Sequence, residues 1–191
     1  MRKLFIIKMP VILLMLVLFI IPVKASSSID LQNSSAQTLL KLKILQGDDD
    51  GSLRLQDKLK RSEFITLMVR ILGYENEPDL DKINIPFKDI SKNHWAYNYV
   101  KIAFKYSLVD GYPDNTIAPD NFVTLAEAQT VLVKALGYKD ALTGNWPENV
   151  LNKASQLGIN RNLDFPSSKQ INRGEASILV NNSLTVNFAV N

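Results

Sequence analysis

Two stretches of this chain are copies of one unit in strict register, 64 positions apart. Residues 63–74 and 127–138 share Glu63 with Glu127, Thr66 with Thr130, Val69 with Val133, Leu72 with Leu136, Gly73 with Gly137 and Tyr74 with Tyr138. A worn third copy runs from Glu175 through Ala176, Ile178, Leu179 and Val180 and weakens at Ser183. Short repeated units cannot bury their apolar faces alone and must stack on one another, so function is to be sought between the copies.

Each unit reads as helix, loop, helix. On the carboxyl side, Phe64, Leu67, Met68, Ile71 and Leu72 fall at helical spacing, and Ala128, Val131, Leu132, Ala135 and Leu136 repeat it. The spacing predicts amphipathic helices with one buried stripe, ended by Gly73 and Gly137 in left-handed backbone. On the amino side, Ala36, Leu39, Leu40 and Ile44 match Val100, Ala103, Phe104 and Leu108 at the same shift, with Leu151, Ala154 and Ile159 in the third unit. The loops at 46–52 and 110–116 are rich in turn formers, and Asn162 stands near the position of Gly47 and Gly111 as the next most tolerant residue for left-handed backbone. Residues 75–86 read as an ordered polar connector with two prolines. The tail, 184–191, alternates apolar and polar, which fits a short strand or a frayed end.

The first 25 residues have another origin. Arg2, Lys3 and Lys8 precede an unbroken apolar run over residues 11–21, and small residues lead to Ser26, the pattern of a secretory signal peptide. The run is shorter than the ~18–20 residues that span a bilayer, so contact with the membrane is expected to be transient. The chain has 22 basic and 19 acidic residues; this segment holds four of the basic and none of the acidic, leaving 18 against 19. In a near-neutral exported chain the argument for a basic patch that binds nucleic acid loses its main support, and no nucleic-acid partner is expected. It has no cysteine, which excludes disulfides, thiolate metal sites and a cysteine nucleophile.

Further motifs join the repeat. Phe87-Lys88-Asp89, then His94-Trp95-Ala96, then residues 108–119 around Asp110-Gly111-Tyr112-Pro113, then Thr124-Leu125-Ala126-Glu127 resemble one full motif of the S-layer homology (SLH) family. Asp140 and Trp146 repeat the six-residue separation of Asp89 and Trp95 and open a third motif, whereas the first has Leu31 where Trp would fall. The first and third motifs are thus degenerate. The resemblance implies an all-α domain over 26–191, with three helix-loop-helix motifs in pseudo-threefold arrangement: about 29–74, 87–138 and 138–186, with 75–86 as linker. It implies grooves between neighbouring motifs that bind a secondary cell-wall polysaccharide, often one with a terminal pyruvate ketal, on bacteria with a Gram-positive type envelope. No enzymatic activity, cofactor or metal is implied, and a protein partner is left unknown.

What the resemblance implies for individual residues is a glycan-binding set of Arg61, Asp89, Trp95, Gly111, Trp146 and Arg173. The chemistry suits the residue types. A ketal carboxylate beside an apolar ring face calls for a planar cation and an aromatic platform, and helix-start N–H groups beside Arg61 and Arg173 would add anion affinity. Each residue also has a structural alternative: N-capping for Glu127 and Glu175, turn capping for Asp89 and Asp140, inter-motif packing for Trp95 and Trp146. Leu125 stands where the second motif would have Arg, and Lys60 where the first would have Thr. One or two competent grooves are therefore expected, the best joining Arg61 to Asp89, Trp95 and Gly111, the other joining Trp146 to Arg173.

Other classes remain open from sequence. Asp48-Asp49-Asp50-Gly51 resembles a calcium loop, but its register puts Gln46 and Asp57 at key ligand positions. A protein-recruiting extracellular module is a further alternative. A glycan hydrolase would need paired carboxylates such as Asp89 with Glu127, and the single histidine, His94, leaves no serine triad. No cargo domain follows the third motif, which leaves a stand-alone wall binder, a recruiting subunit or a remnant of a longer protein as expectations.

Overall fold

A computed structural model describes residues 28–190; the signal-peptide reading falls on residues outside that range. Six α-helices follow in order: α1 (Ser28–Lys41), α2 (Arg61–Ile71), α3 (Tyr97–Lys105), α4 (Leu125–Ala135), α5 (Glu148–Gln156) and α6 (Arg173–Ser183). Short 3-10 turns at Tyr74–Asn76, Leu80–Lys82 and Lys139–Ala141 fill the connectors. The fold is all-α, and among the described residues only isolated bridges, not strands, link extended segments.

The carboxyl-side helices are buried on more than the one stripe their periodicity predicts. In α2 the buried set is Arg61, Ser62, Phe64, Ile65, Thr66, Met68 and Val69, and α4 and α6 are covered as broadly. These three are inner helices, and the amino-side helices form an outer layer. The outer helix of each unit packs on the inner helix of the unit before it: α3 on α2, α5 on α4, and α1 on α6. The last of these contacts closes the ring between first and third units.

Backbone hydrogen bonds make the threefold relation explicit. The Leu59 N–H donates to the Ile171 carbonyl (3.1 Å), that of Ile171 to Val123 (3.0 Å), and that of Val123 back to Leu59 (2.9 Å). A second trio serves the helix starts: Arg61 N–H to the Asn121 carbonyl (2.9 Å), Leu125 to Lys169 (2.9 Å), Arg173 to Asp57 (3.0 Å). The next residues, Ser62, Ala126 and Gly174, donate to Pro119, Ser167 and Leu55. The first N–H groups of any helix lack intrahelical partners, and here the neighbouring unit supplies them. The anion site expected at the starts of α2 and α6 is therefore filled by protein carbonyls.

Local signals hold where the chemistry is local. Thr124 with Glu127 and Asn172 with Glu175 form reciprocal capping boxes, while in α2 the Glu63 carboxylate accepts the Lys60 N–H at 2.7 Å. Gly73, Gly137 and Asn162 have positive φ; Gly47 does not, and Gly51 takes that conformation in its loop instead. The connector is pinned by Glu77, whose carboxylate accepts from Lys105 Nζ (2.6 Å), the Tyr106 hydroxyl (2.9 Å) and the Asp79 N–H (3.1 Å). Among the described residues the tail forms no strand. The Ala189 N–H reaches the Leu136 carbonyl at 2.9 Å and the Tyr138 hydroxyl reaches the Asn187 carbonyl at 3.0 Å, which lays it across the end of α4.

Candidate functional site

The seams of the ring are built from a repeated charge pattern. Arg61 and Glu63 lie two positions apart, so they project about 200° apart around the same helix. Neither can pair within its own turn; each faces a different neighbour. Arg61 reaches the second unit, where its Nε donates to the Ile117 carbonyl at 2.9 Å and its Nη1 sits 3.1 Å from Glu127 Oε1. The guanidinium also lies over the Tyr112 ring, 4.9 Å from its centroid. The Tyr112 hydroxyl donates to Glu127.

The electrostatics match this closure. Burial pushes the Glu127 carboxyl up, but the Arg61 charge, the Thr124 N–H and the Tyr112 hydroxyl outweigh it and leave Glu127 below its ordinary range. Burial, with the bond to Glu127, pushes the Tyr112 hydroxyl up to about 12. Arg61 is thus largely consumed as a clamp between units.

Asp89 and Gly111 serve the same clamp. The two Asp89 carboxylate oxygens accept the N–H groups of Ile117 (2.8 Å) and Ala118 (2.7 Å), which holds Ala118 at positive φ and aims the Ile117 carbonyl at Arg61. Asp89 therefore fixes a loop 28 residues away instead of capping its own turn. Gly111, at φ +74°, leaves no room for a side chain: a Cβ there would stand 2.2 Å from Phe87 Cε1 and 2.7 Å from the Thr116 carbonyl oxygen.

The open cleft lies at another seam. About 550 Å³ is enclosed between the first and third units, lined by Glu63, Thr66, Arg70 and Ile71 of α2, by Leu42 to Gln46 after α1, by Trp95, and by Arg173, Ala176 and Ser177 of α6. Arg173 is the counterpart of Arg61 but is less engaged. Its Nε donates to the Leu53 carbonyl at 3.0 Å, its Nη1 is 3.9 Å from Glu63, and among the described residues no aromatic ring covers it as Tyr112 covers Arg61. Trp95 is 56% exposed along the cleft. At the far end, Arg70 pairs with Glu75 and donates to the Tyr99 hydroxyl.

The expected partners are therefore exchanged. Trp95 shares its cleft with Arg173, and Arg61 projects from the opposite side of α2. Trp146 lies instead on α4, where its indole N–H donates to Thr130 Oγ1 at 3.0 Å, three residues on from Glu127 in the Arg61 seam. In the third seam Leu125 is buried and Lys169 takes the missing cation's place, pairing with Glu175 and lying 3.3 Å over the Phe165 ring. Asp48, first of the acidic loop run, is paired with Arg54 Nε at 2.7 Å.

Sequence reading missed Glu127 as partner to Arg61, and it missed Thr66, Thr130, Tyr112, Arg70 and Lys169. The signal for the first was present: Arg at the opening helical position and Glu two later recur in register, and the two must face different units.

Residues 86–128 match the S-layer homology domain family, within the unit that supplies Asp89, Trp95 and Gly111. The chain is a member of the S-layer homology family. It is similar to the middle cell wall protein of Brevibacillus brevis (33% identity over 77% of this chain and 14% of that protein) and to the surface layer protein of Brevibacillus choshinensis (34% over 68% and 12%). It is also similar to the cellulosome-anchoring protein of Acetivibrio thermocellus (27% over 73% of this chain and 35% of that protein). The SLH chain therefore spans a seventh or less of the two Brevibacillus proteins and about a third of the Acetivibrio one.

Proposed function

We propose that this SLH chain is an exported, non-enzymatic cell-surface module. It attaches without covalent linkage to an anionic secondary cell-wall polymer of a Gram-positive type envelope, through the seams between its repeated units. The relatives named for cell walls, surface layers and anchoring support a wall-associated role. One observation carries the site: Arg173, under-used by protein acceptors, shares an open cleft with the exposed indole of Trp95. A guanidinium beside a flat apolar face matches a sugar that carries a carboxylate ketal, such as pyruvate, at its rim.

Within this reading Arg173 and Trp95 contact the glycan. Asp89, Gly111 and Arg61 hold the units in place, and Trp146 is the second candidate platform. The test is co-sedimentation with native wall sacculi, with sacculi stripped of polymer, and with sacculi from which pyruvate alone has been removed. Retention on native walls and loss on both treated forms is the expected result. Equal retention on all three would refute an anionic wall polymer as the ligand.

A further inference from the structure

The three units close their outer helices with one shared turn. The N–H groups of Lys43, Ser107 and Gly158 reach back to the carbonyls of Leu40 (3.0 Å), Phe104 (2.9 Å) and Ser155 (3.0 Å). The next N–H groups, of Ile44, Leu108 and Ile159, reach Leu39 (2.9 Å), Ala103 (2.8 Å) and Ala154 (2.9 Å). The residue that makes the turn has positive φ each time: 60° at Lys43, 54° at Ser107 and 70° at Gly158. A helix end of this kind favours glycine, which Gly158 supplies, and a lysine there holds its backbone in a disfavoured conformation. Strain retained at one position is a pointer to function.

Lys43 is exposed, and among the described residues no hydrogen bond or ion pair engages its ammonium group. It lines the open cleft together with Trp95 and Arg173. The other charged residues lining that cleft are Glu63, Arg70 and Glu75; Arg70 pairs with Glu75 at 3.1 Å, and Arg173 stands 3.9 Å from Glu63. Three cations thus meet two carboxylates, and Lys43 is the cation in excess. At the corresponding place beside the Trp146 seam the repeat has the neutral Ser107.

We infer that Lys43 is a specificity-determining residue of the Trp95 cleft and takes a second anionic group of the polymer, separate from the carboxylate that meets Arg173. The inference rests on the wall-binding reading and goes beyond it. It narrows the ligand to a glycan with two negative charges on neighbouring sugars, the second a phosphate or a uronate carboxylate. Arg173 offers a planar fork matched to one carboxylate, whereas the Lys43 ammonium is a point charge on a flexible stem that either second group can meet.

Lys43→Gly tests this without endangering the fold, because Gly158 already occupies the same turn. The variant is expected to melt at a higher temperature than the parent while binding less tightly, a combination that a merely structural lysine would not give. The probes are polymer fragments released from wall sacculi by muramidase digestion and, as a ligand with one charge, a methyl hexoside carrying a pyruvate ketal. Calorimetry at low salt is expected to show Lys43→Gly weakening fragment binding about fivefold, with the difference shrinking at 1 M salt. Affinity for the hexoside is expected to stay the same. Lys43→Gln should lose as much as Lys43→Gly, and Lys43→Arg should keep most of the parent's affinity. Dephosphorylated fragments then separate the sources: loss of the Lys43 effect assigns the second group to phosphate, and its persistence assigns it to a uronate. Fragment affinity unchanged or raised in Lys43→Gly overturns the inference while leaving wall binding intact. An equal loss on fragments and hexoside also overturns it, because both cations would then share one carboxylate. If sacculi do not retain the parent protein, the wall-binding reading itself fails and takes this inference with it.

Discussion

Arg61 crosses from the first unit to meet Glu127 of the second at 3.1 Å, with side chains only 10% and 13% exposed. Arg173 stands in the same repeat position, yet its Nη1 is 3.9 Å from Glu63. Two arginines that look equivalent in sequence are thus a clamp and a candidate ligand cation.

Arg61→Ala is expected to act on stability. Removing the cation leaves Glu127 covered and unpaired, which costs about 3 kcal/mol by analogy with other broken buried pairs. Chemical unfolding followed by the two tryptophans would read it. A variant as stable as the parent would mean that water already compensates Glu127.

Arg173→Ala is expected to reverse that profile. Its pairing with Glu63 is long, so stability should fall by no more than about 1 kcal/mol, while retention on wall sacculi drops by at least about tenfold. Full retention with a normal melting curve would rule Arg173 out as the ligand cation.

The bond from Lys105, aided by the Asp79 N–H and the Tyr106 hydroxyl, holds the Glu77 carboxyl at about 2, well below its ordinary 4.5. A carboxyl depressed by folding contributes stability that is complete above its unfolded value and is lost as pH falls through its folded value. Resistance to urea should therefore decline from about pH 4.5 towards pH 2, and Glu127, shifted in the same direction, adds to the decline. Glu77→Gln should flatten part of this acid limb. An identical limb in that variant would assign it to other carboxylates.

Gly73 and Gly111 share positive φ, of 73° and 74°, but not surroundings. Nothing stands within 4 Å of a Cβ built on Gly73, so Gly73→Ala should cost only the left-handed backbone, about 1–2 kcal/mol. Gly111→Ala adds the collision with Phe87 and Thr116, and should cost clearly more, about 3 kcal/mol or above. Equal melting temperatures for the two variants would show that the Phe87 ring yields without penalty.

What the sequence made legible was governed by neighbours in the chain. Helix spacing located α2, α4 and α6, the Thr124 and Asn172 boxes marked two of their starts, and Asn162 took the expected left-handed backbone. The amino-side pattern was less faithful: Leu40 is 39% exposed and Ile44 lies beyond the end of α1. The partners across the seams were not legible, because periodicity names a buried face without naming what covers it. The expected pairing of Arg61 with Trp95 comes from the family resemblance and not from periodicity. Spacing alone does not say that α3 packs back on α2, which sets Trp95 on the face of that helix turned away from Arg61.

The amide bonds among Leu59, Ile171 and Val123 return to their starting residue, so the assembly has no open terminus at which a fourth copy could be added or from which one could be trimmed. An array with free ends can lose a member and keep the rest. Deleting any one unit here strands backbone groups on both survivors, which makes three the smallest and the largest number of copies this geometry accepts.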